Sequence, residues 1–130
     1  MRYYVDTSAA AKLVVEEVES DALAAFLDQA IEDGDTIGSS LLLETELRRL
    51  GIRLSIPQER VTLVLERMVL LVPDGDVFRN AGLLPDAALR SLDALHVAAA
   101  LRWGADCVVT YDERQATAVR SVGLSVASPT

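Results

Sequence analysis

The segment Arg90 to Asp112, RSLDALHVAAALRWGADCVVTYD, constrains this chain more than any other. Leu92 to Trp103 carries apolar residues on almost every face, and Gly104 follows where a left-handed C-terminal cap is usual, so the segment predicts an interior helix. One charge interrupts it. Asp93 stands among apolar neighbours, where an unpaired carboxylate would cost several kcal/mol or lose its charge. Cys107 to Val109 then forms a short apolar run typical of a buried parallel strand, and Thr110-Tyr111-Asp112 ends it with a second acid. A helical acid beside a strand-end acid suggests a shared cation.

The rest of the chain alternates in the same way. Arg2 to Val5 reads as a strand, Asp6-Thr7-Ser8 as a cap, and Ala9 to Val15 as a short helix. Ser20 to Ile31 predicts a longer helix with Leu23, Phe26, Leu27 and Ala30 on one face. Thr36 to Ser39 reads as a strand, and Ser40 as the cap of a helix from Leu41 to about Leu50 that Gly51 ends. Ser55 and Pro57 open a helix carrying Val61, Val64, Leu65 and Met68, before a strand at Val69 to Val72. Asp76 to Leu83, Glu113 to Arg120 and Leu124 to Val126 complete the reading as helix, helix and strand. Strands alternating with helices imply an α/β sandwich with a mainly parallel central sheet, whose ligands bind beyond the carboxyl ends of the strands. Asp6 and Asp112 both belong to that edge.

Composition removes several function classes. The 130 residues suit one domain, 1–130, and 51% apolar content supports a core. No apolar run reaches the length of a membrane span, and MRYYVDTS has no apolar signal region, so a cytoplasmic protein is expected. Cys107, the single cysteine, excludes a thiolate zinc site and an internal disulfide. A formal charge of -8 argues against a broad basic nucleic-acid surface. With His96 as the only histidine, a two-histidine ribonuclease mechanism is impossible, and His96 itself reads as a packed helix residue. Neither a G-x-S-x-G elbow nor a glycine-rich phosphate loop occurs.

Carboxylates remain. Taken singly, each has an ordinary reading: Asp6 as a turn or N-cap residue, Asp112 as the N-cap of the last helix, and Glu46, like Glu44, as a solvated acid on an amphipathic helix. Jointly they are two acids at strand ends, one in an apolar helix and one on a helix that follows another strand. Crowded carboxylates raise one another's pKa and are stable at neutral pH chiefly when a divalent cation neutralises them. Hard oxygen ligands favour Mg²⁺ or Mn²⁺, which activate water for phosphodiester hydrolysis without a protein nucleophile.

The motifs YVDTSA, SSLLLETELRR, RSLDALHVAAA and VVTYDER, together with GLSVASP, resemble those of PIN-domain ribonucleases, specifically the VapC-type toxins of bacterial toxin-antitoxin pairs. The resemblance spans nearly the whole chain. It implies a PIN-like α/β/α sandwich, a quartet of metal-binding acids at Asp6, Glu46, Asp93 and Asp112, and supporting hydroxyls at Ser8 and Thr110. Glu46 is preferred to Glu44 because ELRR reproduces the family's acid-Leu-x-Arg order. Arg48, Arg90 and Arg114 are candidates for phosphate contact. The resemblance also implies a homodimer, an RNA substrate and a VapB-type antitoxin whose C-terminal segment lies along the toxin. The alternative is a PIN-like module that binds RNA or a protein without cutting. A receiver domain would need a lysine late in the chain, and Lys12 is the only lysine.

Overall fold

The computed structural model describes residues 1–130. The first half contains β1 (Arg2–Val5), α1 (Thr7–Val14), α2 (Ser20–Glu32), β2 (Thr36–Ser40), α3 (Leu42–Leu54), α4 (Gln58–Glu66) and β3 (Val69–Leu71). The second contains α5 (Gly75–Gly82), α6 (Ser91–Trp103), β4 (Cys107–Val109), α7 (Glu113–Ser121) and β5 (Ser125–Ala127). The five strands form one sheet in the order β3-β2-β1-β4-β5, and all four pairings are parallel. No helix is long and apolar enough to cross a membrane.

Alternation along the strands divides the core into two layers. Val5 and Val109 point into a layer shared with α1 to α4, where Val14, Leu23, Leu27, Leu43, Leu47 and Val61 are buried. Tyr4 and Val108 point into the other, packed with Val77, Val97, Ala98, Ala100 and Val119 from α5, α6 and α7. Small residues on α6 let it approach the sheet closely, and Gly38 of β2 completes the fit: a Cβ there would stand 2.7 Å from the Trp103 ring. Because the chain runs outward from β1 in both directions, the sheet reverses its winding between β1 and β4. That is the topological switch point at which open α/β sheets bind their ligands.

Several boundaries differ from the sequence reading. The helix expected to stop at Gly51 continues to Leu54, and Ser55, in the left-handed region at φ 54°, supplies the C-cap. Gly51 serves packing instead, since a Cβ would lie 2.9 Å from Gln58 Nε2 on the adjoining α4. Ser40 is the last residue of β2 rather than the N-cap of α3. Leu41 takes that position, and Ser40 Oγ accepts the Leu42 N–H at 3.2 Å. The last strand lies one residue later than expected, and α1 begins at Thr7, immediately after Asp6.

Candidate active site

Asp6 follows the last residue of β1 at the switch point. Its backbone N–H reaches Val109 O on β4 at 3.2 Å, and the side chain is 4% exposed. The N-cap role anticipated for it is real, because Oδ1 accepts the Ala9 N–H at 3.1 Å. The same carboxylate takes two hydroxyl donors, Ser8 on Oδ1 at 2.7 Å and Thr110 on Oδ2 at 2.5 Å. Those hydroxyls are in turn fixed by the chain leaving β4: Tyr111 N–H donates to Ser8 Oγ at 2.9 Å and Asp112 N–H to Thr110 Oγ1 at 3.1 Å. Ser8 and Thr110 thus tie the ends of β1 and β4 together through one carboxylate. Burial raises the Asp6 pKa above the usual range, and the hydrogen bonds from Thr110, Ser8 and Ala9 offset only part of that cost.

Glu46 reaches the same edge from α3, on the other side of the strand ends from α6. His96 of α6, 2% exposed, places Nε2 2.7 Å from Glu46 Oε1, and Thr7 Oγ1 donates to Oε2 at 2.8 Å. The other ring nitrogen, Nδ1, lies 2.7 Å from the buried Tyr4 hydroxyl, which accepts the Ser40 N–H at 3.1 Å. Burial pushes the Tyr4 pKa well up, so the phenol keeps its proton. That proton goes to Nδ1, which leaves Nε2–H as the donor to Glu46. Burial would raise the Glu46 pKa, but its hydrogen bonds from His96 and Thr7 outweigh that and hold it below the usual range. The sequence reading of His96 as a packed residue is correct for its burial and misses its partners. The available signal was its spacing three residues after Asp93, which puts both on neighbouring positions of one helix face.

Asp93 differs from the expected interior carboxylate. Since α6 begins at Ser91, Asp93 stands in the first turn, half-buried, next to a Leu92 that is 49% exposed. A helix N-terminus favours a carboxylate, so this position costs less than a helix centre. Even so, burial raises the Asp93 pKa and the neighbouring Asp112 and Glu46 raise it further. Asp112 is the N-cap of α7: its Oδ1 accepts the Arg114 and Gln115 N–H groups at 2.9 and 3.1 Å. Gln115 then links α7 to α6 by donating from Nε2 to the Asp93 carbonyl at 3.2 Å.

Of the three arginines singled out for phosphate contact, Arg48 is already engaged with Glu44, Gln58 and Thr62, where it fastens α3 to α4. The same pairing engages the Glu44 carboxylate. Arg90 is the N-cap residue of α6 and, like Arg114, is exposed.

The donor set of four carboxylates and two hydroxyls suits a hard divalent cation, and the mutual repulsion felt at Asp93 is the electrostatic condition such a cation relieves. The acids share an edge without forming a ready-made ligand cluster of three or more. Glu46 is turned toward His96 and Thr7, and Asp112 toward the amides of α7.

Comparison with known proteins places this geometry in a family. A model of the PIN domain matches residues 3–120. Ribonuclease VapC35 of Mycobacterium tuberculosis is 40% identical over 132 residues, covering 97% of this chain and 96% of the relative. Ribonuclease VapC47 of the same organism is 36% identical over 130 residues with the same coverage. Among solved structures, VapBC2 from Rickettsia felis, bound to a DNA fragment from its promoter, superposes with a TM-score of 0.78 over all of both chains at 17% identity. Mycobacterium tuberculosis VapC20, a sarcin-ricin loop cleaving toxin, gives 0.74 at 15% identity over 98% of this chain and 99% of that one. The fold, the matched residues and the length of the shared sequence together show that this chain belongs to the PIN-domain family, among the VapC ribonucleases.

Proposed function

We propose that the chain is an endoribonuclease toxin that hydrolyses RNA phosphodiester bonds with Mg²⁺ or Mn²⁺ held among Asp6, Glu46, Asp93 and Asp112, and that a VapB-type antitoxin neutralises it. One observation carries the reading: acids that follow β1 and β4 and acids on α3 and α6 line the same sheet edge at the switch point, with burial and repulsion from Asp112 and Glu46 raising the Asp93 pKa. Its relatives are ribonucleases by name, and solved neighbours include toxin-antitoxin complexes. The whole chain acts as one PIN domain, as a homodimer.

When bound, the cation lowers the pKa of water and stabilises charge on the phosphate oxygens. The chain's own residues prepare the place for it. Ser8 and Thr110 fix the rotamer of Asp6, so that this buried acid cannot swing away. His96 and Thr7 keep Glu46 ionised, and Tyr4 keeps the His96 ring in the tautomer that donates to Glu46. Asp112 commits Oδ1 to the α7 amides and keeps Oδ2 available for the ion or for the attacking water. Cleavage of total bacterial RNA by purified, antitoxin-free protein tests the reading. Cutting in Mg²⁺ or Mn²⁺ supports it, and its absence from a folded protein sinks it.

His96 is a positioning residue in this account, and its role separates from simple packing. His96→Leu, which removes the donor to Glu46, is expected to lower cation affinity or turnover by about 10- to 100-fold, the usual cost of losing an outer partner of a metal ligand. His96→Gln restores an N–H donor at similar reach and is expected to recover most of the loss. Equal defects in the two variants, read as turnover against cation concentration, would reduce His96 to a packing role.

A further inference from the structure

Between Thr110 and Asp112 the chain leaves the sheet. β4 ends at Val109, the Thr110 N–H makes a last bond to Ala127 O at 3.1 Å, and α7 begins at Glu113 with Asp112 as its N-cap. Tyr111 therefore stands where neither a strand nor a helix fixes the backbone, and it joins two residues of the site. Its side chain supplies the missing constraint. The hydroxyl donates to Pro129 O at 2.6 Å, and the ring centroid lies 4.8 Å from Lys12 Nζ on α1. That is well inside the roughly 6 Å at which the face of an aromatic ring attracts an ammonium group. Lys12 is the only lysine of the chain, its side chain is 12% exposed, and Glu17 and Glu19 hold its ammonium at 2.7 and 3.0 Å. Ser128 closes the clamp from the other side, where Oγ donates to Thr110 O at 2.6 Å.

We infer that Tyr111 is a positioning residue of the acidic edge: clamped between Lys12 of α1 and Pro129 beyond β5, it fixes the turn that sets Asp112 relative to the Asp6 carboxylate. The inference rests on the nuclease reading and adds to it a residue that holds the site without touching the cation. A rotation about the Tyr111 backbone would move three groups at once. Thr110 Oγ1 would shift on Asp6 Oδ2, the Tyr111 N–H would leave Ser8 Oγ, and the Asp112 carboxylate would be carried along with the start of α7. Mg²⁺ demands near-octahedral oxygen geometry, so a small displacement of one acid is felt as lost affinity. Packing by itself asks less of this position. The Tyr111 ring lies against the core layer shared with α1 to α4, which any large apolar side chain could do. Only a tyrosine meets the ammonium with its face and the Pro129 carbonyl with its hydroxyl.

The test titrates Mg²⁺ into the intact, antitoxin-free protein and reads two quantities, turnover of RNA and the rise in Tm. Tyr111→Leu keeps an apolar side chain but loses both anchors. Its Mg²⁺ midpoint for turnover is expected to rise about tenfold or more, the usual cost of losing an outer support of a metal ligand. The same displacement should appear in the Mg²⁺ dependence of Tm, which needs no chemistry. At saturating Mg²⁺ its KM for RNA should stay within about twofold, since the groups that move hold the cation. Tyr111→Phe keeps the ring over Lys12 and is expected to recover most of the loss. Lys12→Met keeps the stem, removes the charge and should shift the midpoint in the same direction as Tyr111→Leu. Combined with Tyr111→Leu it should add little, because the ring through which the ammonium acts is already gone. A folded Tyr111→Leu with the wild-type Mg²⁺ midpoint overturns the inference even if its Tm falls, since packing then accounts for the residue, and the nuclease reading stands. Where Tyr111→Leu does not fold, Lys12→Met decides, and a wild-type midpoint there overturns it equally. A wild type whose turnover and Tm both ignore Mg²⁺ removes the nuclease reading and this inference with it.

Discussion

Asp93→Asn is expected to abolish RNA cleavage and, at pH 7, to melt at a higher temperature than the wild type. The loss of activity follows from removing one of the carboxylates proposed to hold the cation, and by analogy with removal of one preorganised electrostatic group it amounts to about a thousandfold. The gain in stability follows from the opposite side of the same charge. Burial, then Asp112 and Glu46, raise the folded-state pKa of Asp93, so the folded chain binds this proton more tightly than the unfolded chain does. Stability from such a group is fully present below the unfolded carboxylate pKa, about 3.9, and is lost as pH rises through the raised folded value. At pH 7 the penalty is therefore in force, and asparagine escapes it. The helix N-terminus pulls the other way, since it favours the carboxylate by about 0.3–1 kcal/mol at exposed positions. Burial and the repulsion from Asp112 and Glu46 act against it. Thermal melts across pH decide the matter: the two proteins should melt alike below about pH 4 and diverge toward neutrality, with the variant ahead. A variant that is inactive and also less stable at pH 7 would make Asp93 a structural residue.

Mg²⁺ or Mn²⁺ should stabilise the wild type strongly, and EDTA should reverse the effect. A ligand that binds only the folded chain adds about 2.7 kcal/mol at a free concentration a hundredfold above its Kd, which for a chain of this size is on the order of 10 °C in Tm. Here the effect has a named origin in the relief of repulsion among Asp93, Asp112 and Glu46 and in the neutralisation of the buried Asp6. The shift should shrink as pH falls, because Asp6 and Asp93, whose pKa values are raised, take up protons in competition with the cation. Asp93→Asn should blunt it at every pH. Identical melting in cation and in EDTA would deny that the acids form a cation site.

Particular residues show how much of this was legible beforehand. Asp6 and Asp112 declared themselves because each ends a short apolar strand in a chain that alternates strand and helix, and parallel topology sends such ends to one edge. Ser8 and Thr110 came with them through the family's motifs, and both donate to the Asp6 carboxylate. Glu46 was chosen over Glu44 by motif order, and the geometry gives the physical reason: Glu44 faces Arg48 on the outside of α3, whereas Glu46 faces His96. The helix carrying Asp93 was located to within a residue, but its apolar composition suggested an interior start, while the chain exposes Leu92 and leaves Asp93 half-buried in the first turn.

What escaped depended on contacts between distant segments. Gly51 looks like a helix stop in any local reading, and only the approach of Gln58 shows that the helix runs through it. Arg48 shows the same dependence: residue type offered it for phosphate contact, and only the fold shows that Glu44, Gln58 and Thr62 engage it. His96 was read from burial statistics, which are right about where it sits. They carry no information about Tyr4, ninety-two residues away, which sets its tautomer.

The most direct measurement is the size distribution of total bacterial RNA after incubation with purified wild-type protein in Mg²⁺, in Mn²⁺ and in EDTA, with Asp93→Asn alongside. Discrete new fragments with either cation, absent in EDTA and absent with the variant, are the predicted result. A folded, antitoxin-free wild type that leaves RNA whole with both cations, or cutting that persists in EDTA or with Asp93→Asn, would contradict a cation-dependent nuclease at this cluster of acids.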